Sequence, residues 1–116
     1  MVVRMADLNI TPNIARLLRV FLEDPEQSHF GTELSSEARV SAGSLYPALR
    51  RMEAAGFIEG EWEAIDPSVE GRPARRYYKL TANGTRQAHL QLAEYSASFA
   101  PPQPRGWMPN PAPKGA

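Results

Sequence analysis

Cysteine is absent from the chain, which excludes disulfides and thiolate metal sites and suits a reducing cytoplasm. Histidine is scarce. His29 and His89 are the only two; they lie far apart and lack metal-ligand spacing, so surface or hydrogen-bonded histidines are expected rather than a metal centre. No run approaches the ~20 apolar residues of a membrane span. The N-terminal MVVRMADLNI has no apolar stretch ahead of a cleavage site, so no secretory leader is expected. A phosphate loop, a nucleophile elbow and a carboxylate pair tied to a histidine are all missing, so neither an enzyme nor a cofactor is expected.

Net charge is also missing: 13 Lys and Arg balance 13 Asp and Glu. That balance argues mildly against a nucleic-acid partner, because such domains often carry a basic excess. The distribution weakens the objection. Glu23, Asp24, Glu26, Glu33 and Glu37 gather in the first half, whereas Arg72, Arg75, Arg76 and Lys79 crowd one short segment. Local field matters more than the sum when a polyanion is steered.

The 116 residues suffice for one folded domain with a modest core. Thr11-Pro12 reads as an N-cap followed by proline at the first helical position. Ile14, Leu17, Leu18, Phe21 and Leu22 then recur at helical spacing up to Asp24-Pro25. Ahead of them, Leu8 and Ile10 alternate with polar residues and suggest a short leading strand. A second helix is expected from about Phe30 to Ala38, with Phe30 and Leu34 on one face. The third is capped by Ser41 or Ser44, points Leu45, Ala48, Leu49 and Met52 inward, and closes at Gly56. Phe57–Ile65 and Arg75–Leu80 have strand character, separated by the turn-forming Asp66-Pro67-Ser68 and Glu70-Gly71. Thr81 caps a last helix. From Pro101 onward, PPQPRGWMPNPAPKGA is expected as a mobile or polyproline-like extension.

Two short helices joined by a tight turn, followed by a two-stranded wing, define a winged helix-turn-helix, mainly α with a small β-hairpin. The expected organisation is a DNA-binding domain over 1–80, a dimerisation helix over 81–99 and a proline-rich tail over 100–116. Gly43 and Ser44 leave the start of the third helix slim, so its amides and the Ser44 hydroxyl can approach a phosphate or a base edge. Tyr46 can add a phenolic hydrogen bond, and Arg50 and Arg51 are placed for backbone phosphates. Thr32, at the start of the second helix, joins them as a candidate DNA contact. In the wing strand Arg75, Tyr77 and Lys79 share one face and Arg76, Tyr78 and Leu80 the other. Arg72 is expected at the tip, stiffened by Pro73 and able to reach a groove or a phosphate. Ala88, Leu92, Tyr95 and Phe99 form one stripe of the last helix, suited to a two-fold partner or else to the first helix of the same chain.

These residues resemble the PadR family of transcriptional regulators. The resemblance is carried by Phe30-Gly31-Thr32-Glu33-Leu34, Gly43–Glu53, Ala55-Gly56-Phe57-Ile58, Trp62-Glu63 and Gly71-Arg72-Pro73 through Tyr77-Tyr78-Lys79-Leu80-Thr81. It implies a winged-helix homodimer, mostly acting as a repressor, with Ser44, Tyr46 and Pro47 at double-stranded DNA and the Arg72 region as wing contact. Phe30 stands where the family usually has tyrosine, which removes one hydroxyl, and Met52 replaces the commoner leucine. Short members can bind flat aromatic compounds at the dimer interface, so a small aromatic effector is a partner the resemblance allows. The competing reading is a winged-helix adaptor that binds protein. Adaptors tend to expose apolar anchors on the recognition helix, whereas this one carries Gly43, Ser44, Arg50 and Arg51.

Overall fold

A computed structural model describes residues 8–99; the tail from Pro101, including Trp107, lies outside them. Helix α1 spans Pro12–Glu23, with the Thr11 hydroxyl accepting from the Ile14 amide at 3.2 Å. Strand β1 is the pair His29–Phe30 and runs directly into α2, Gly31–Ala38. Helix α3 spans Ala42–Ala54, β2 Ile58–Trp62, α4 Pro67–Glu70, β3 Arg76–Leu80 and α5 Ala82–Ser98.

The apolar stripes read from the sequence meet in one core. Ile14, Leu17, Leu18 and Phe21 of α1 pack with Leu34 of α2, Leu45, Leu49 and Met52 of α3, and Phe57, Ile58 and Leu80 of the sheet. Burying each such large side chain contributes on the order of 1.5–3 kcal/mol relative to exposure. Helix α3 stops in a Schellman arrangement: Phe57 N donates to Met52 O at 2.9 Å and Gly56 N to Glu53 O at 3.0 Å. Gly56 takes φ 84°, a left-handed value that glycine adopts without strain.

Three details differ from expectation. Leu8 and Ile10 form no strand; Leu8 is buried and Ile10 packs against the core, so their apolar character serves packing rather than pairing. The sheet instead gains its third strand from β1, giving an antiparallel order β1-β3-β2. His29 pairs with Tyr78 and Phe30 with Tyr77. Phe30 therefore belongs to the sheet and does not share a face with the buried Leu34. Third, the expected turn after β2 holds the short helix α4, capped by the Asp66 carboxylate and ended by Gly71 at φ 70°.

Register fixes which wing side chains face inward. Glu59 lies opposite Lys79, Gly60 opposite Tyr78, Glu61 opposite Tyr77 and Trp62 opposite Arg76. Because strand side chains alternate, Tyr78 and Leu80 turn to the core, where both are buried. His29, also buried, packs its ring edge-on against Phe21 and places Nδ1 2.9 Å from Glu33 Oε1.

Candidate nucleic-acid interface

An open groove of about 660 Å³ runs between the start of α2, the middle of α3 and the wing. Thr32, Tyr46, Arg72, Arg75 and Arg76 from the sequence analysis line it, together with Trp62. Gly43, Ser44, Pro47, Arg50 and Arg51 lie outside the groove lining, on the same helix as Tyr46. Gly43, Arg50 and Arg51 are exposed, and Ser44 and Pro47 half-buried.

Ser41 takes the N-cap position of α3, so Pro47 falls inside the helix. Lacking an N–H, it cannot donate to the carbonyl one turn back, at Gly43. Around Gly43 the chain itself leaves open space: an added Cβ would meet nothing within 4 Å. Tyr46 is 42% exposed, and its hydroxyl lies against the bare Cα of Gly31 at the start of α2. That close approach ties α3 to the helix before it through a side chain that stays exposed.

The wing arginines divide sharply. Arg72 forms a two-pronged pair with Glu63, Nη1 to Oε1 at 2.6 Å and Nη2 to Oε2 at 3.0 Å. The cation expected at the wing tip is thus engaged by a carboxylate of its own chain. The fork geometry favours both charged forms: hydrogen bonding from Arg72 holds the Glu63 carboxyl down at about 2 and raises the guanidinium. Arg76 reaches Glu53 at 3.1 Å, with its guanidinium 5.4 Å from the Trp62 ring centroid and 5.8 Å from that of Tyr78. It lies over Gly60, where a Cβ would come within 2.7 Å of Arg76 Nη2. Burial pushes the Tyr78 phenol up, opposed by the Arg76 charge. Lys79 approaches Glu26 at 3.5 Å. Arg75 is exposed, with its guanidinium 4.6 Å from the centroid of the Phe30 ring. Phe30 thus has a use in this site although it lacks tyrosine's hydroxyl.

The expected dimer stripe divides as well. Ala88 is fully buried in the chain's own core and Leu92 packs against it, because α5 lies on α1. Ala88 is thereby corrected from an outward contact to an internal one. Tyr95 and Phe99 continue the stripe with ring centroids 4.9 Å apart, Phe99 being 70% exposed.

Glu53, Glu63, Gly31, Phe30 and Trp62 were not singled out as site residues by sequence. The carboxylates had a signal, since each acid faces an excess of arginine in the wing, but their partners lie 23 and 9 residues away. Among the described residues no group of three or more His, Asp or Glu side chains could hold a metal, and no helix is long and apolar enough to cross a membrane.

Three helices with a sheet folded against the third make this a winged helix-turn-helix protein. Residues 27–90 match the model of the PadR-like transcriptional regulator family, and the chain belongs to that family. It is therefore a transcriptional regulator, of a family whose members regulate transcription rather than catalyse reactions. A PadR family transcription regulator from hypervirulent Clostridium difficile is 26% identical, with 73% of this chain and 88% of that one covered at a TM-score of 0.56. The circadian clock associated protein Pex from Anabaena is 28% identical, with 76% of each chain covered at 0.53. A transcriptional regulator from Clostridium thermocellum, 20% identical, shares the fold over 74% of this chain and 82% of its own at 0.58. No curated protein matches the chain in sequence.

Proposed function

We propose that the protein is a sequence-specific repressor that binds a palindromic operator as a homodimer. The observation that carries this reading is the shared groove: Tyr46 of the recognition helix, Thr32 of α2 and the exposed Arg75 of the wing face one concavity. Gly43, Ser44 and Pro47 give α3 a slim leading end for close approach to base edges. Arg50 and Arg51 hold phosphates farther along the helix. The wing supplies a cation from the other side.

Leu92, Tyr95 and Phe99 are the surface through which two copies associate, setting two recognition helices about one helical turn of DNA apart. A dimer of this kind covers a promoter and excludes other proteins from it. A small aromatic effector at the dimer interface is compatible with this arrangement.

Selection of bound fragments from the source genome with purified protein is the direct test. The expected result is a set of inverted repeats, with affinity falling ~10³–10⁵-fold between ~50 and ~200 mM salt if ~6–10 phosphates are contacted. A reporter under the recovered promoter should be lower with the protein than without it. Failure to bind any duplex at micromolar protein in low salt would leave the adaptor reading in its place.

A further inference from the structure

Four cations fall within eight residues of the wing, at Arg72, Arg75, Arg76 and Lys79. Three of them already face carboxylates of the same chain, on Glu63, Glu53 and Glu26. The Glu63 arrangement is the most complete. Its carboxylate takes both prongs of Arg72, its Oε1 also accepts from the Arg75 amide at 3.2 Å, and its own amide donates to Arg75 O at 2.7 Å. One residue thus closes the loop between the two wing strands, fixes the backbone of Arg75 and cancels the charge of Arg72. Phosphate oxygens would occupy much the same place on a guanidinium.

We propose that Glu63 is a specificity-determining residue that stands in for a phosphate on Arg72, leaving Arg75 as the wing cation presented to DNA. The inference rests on the DNA-binding reading above. Backbone phosphates are the same on every sequence, so each free cation strengthens binding to bulk DNA as much as to an operator. Holding Arg72 back lowers that sequence-blind contribution to both alike, so the operator-to-bulk ratio is set by the order Glu63 imposes on Arg75. Fixing Arg75 on a closed loop favours the single register in which the recognition helix meets its bases, because less freedom is lost on binding.

The test compares wild type, Glu63→Gln and the double variant Glu63→Gln/Arg72→Gln on a mixed-sequence duplex and on the selected operator, across a salt series. Glu63→Gln should bind mixed duplex about tenfold or more tightly at ~50 mM salt. Its log–log salt slope should steepen by about 0.9 per protomer, and the operator-to-mixed ratio should fall. The double variant, with both charges gone, should return to the wild-type slope. Weaker or unchanged mixed-duplex binding in Glu63→Gln would overturn the proposal. So would a double variant with a flatter slope than wild type, because Arg72 would then be a phosphate contact already. If Glu63→Gln fails to give a cooperative melt, the double variant carries the decision alone. Wild type that binds neither duplex would instead remove the DNA-binding reading.

Discussion

The Cα of Gly84 presses on the backbone carbonyl of Phe57 so closely that a Cβ would overlap the oxygen. Around this contact Thr81 N donates to Phe57 O at 3.0 Å, the Thr81 hydroxyl donates to Gly56 O at 2.8 Å, and the same hydroxyl accepts from the Gly84 amide at 2.8 Å. The end of α3, the base of the wing and the start of α5 are therefore pinned at one point.

Gly84→Ala should accordingly destabilise the protein. Alanine's better helix propensity offers about 1 kcal/mol, but the added methyl meets backbone, which cannot swing aside as a side chain can. Overpacking of this kind costs typically 1–3 kcal/mol or more. A fall in Tm is expected in thermal melts; an unchanged or raised Tm would show that α5 can shift without cost.

Gly31 presents the opposite case. A Cβ there meets the hydroxyl end of Tyr46, a flexible and exposed part of the molecule. Gly31→Ala should leave Tm within the equivalent of about 1 kcal/mol while displacing Tyr46. Operator affinity should drop with the fold intact. Circular dichroism melts and operator titrations on the same sample separate the two effects, and undiminished operator binding would remove Tyr46 from the interface.

The helices were legible in the sequence because their signals are local. Thr11-Pro12 opens α1, the Leu45–Met52 stripe orients α3, and Gly56 ends it. The pairing of β1 with β3 was not legible: two residues show no periodicity, and His29 and Phe30 join the sheet only because the chain returns there nearly fifty residues later. The alternation at Leu8 and Ile10 misled for a related reason, since apolar residues pack on a core with or without a ladder. Charges in the wing read as a sum along the chain, whereas Glu53 and Glu63 decide in space which arginines stay free. Thr32, Tyr46, Arg72, Arg75 and Arg76, which line one groove, could be named from sequence, but their states of engagement could not.

Arg72 keeps Glu63 ionised far into acid, and the sign of the pH effect follows. The carboxyl is lowered from an ordinary 4.5 to about 2, so the stabilisation it provides is complete above about pH 4.5. It is lost as pH falls towards 2. Carbon-detected NMR of the Glu63 carboxyl should show a midpoint near 2 in wild type and a return towards the ordinary carboxylate range in Arg72→Ala. Between pH 5 and 8 neither the wing nor its DNA affinity should change on account of this pair.

On α5, charge placed on the outer part of the stripe should separate association from folding. Tyr95→Glu/Phe99→Glu puts acids on half-buried and exposed positions, so each copy should still fold. Sedimentation at micromolar concentration should report a dimer for wild type and a monomer for the variant. Ala88→Leu acts differently, because the alanine is fully enclosed and the larger side chain overpacks the core by roughly 1–3 kcal/mol. A double-glutamate variant that remains dimeric would move the interface elsewhere on the surface.

Gly43 is the position where stability and function should part most clearly. It sits in the first turn of α3 at a negative φ, since Gly56 and Gly71 are the described glycines with positive values, and nothing in the chain crowds it. The fold therefore gains nothing from glycine there and loses on the order of 0.5–1 kcal/mol relative to alanine. Such a cost is offset only if an outside partner uses the empty space. Gly43→Ala should raise Tm by a few degrees, at roughly 4–8 °C per kcal/mol for a domain of this size, and should weaken operator binding because a methyl now stands between the helix and the DNA. Gly43→Leu should weaken it further. A stabilised variant with wild-type operator affinity would show that DNA does not approach the leading end of α3, and the contact on this helix would have to be sought farther along it, from Tyr46 to Arg51.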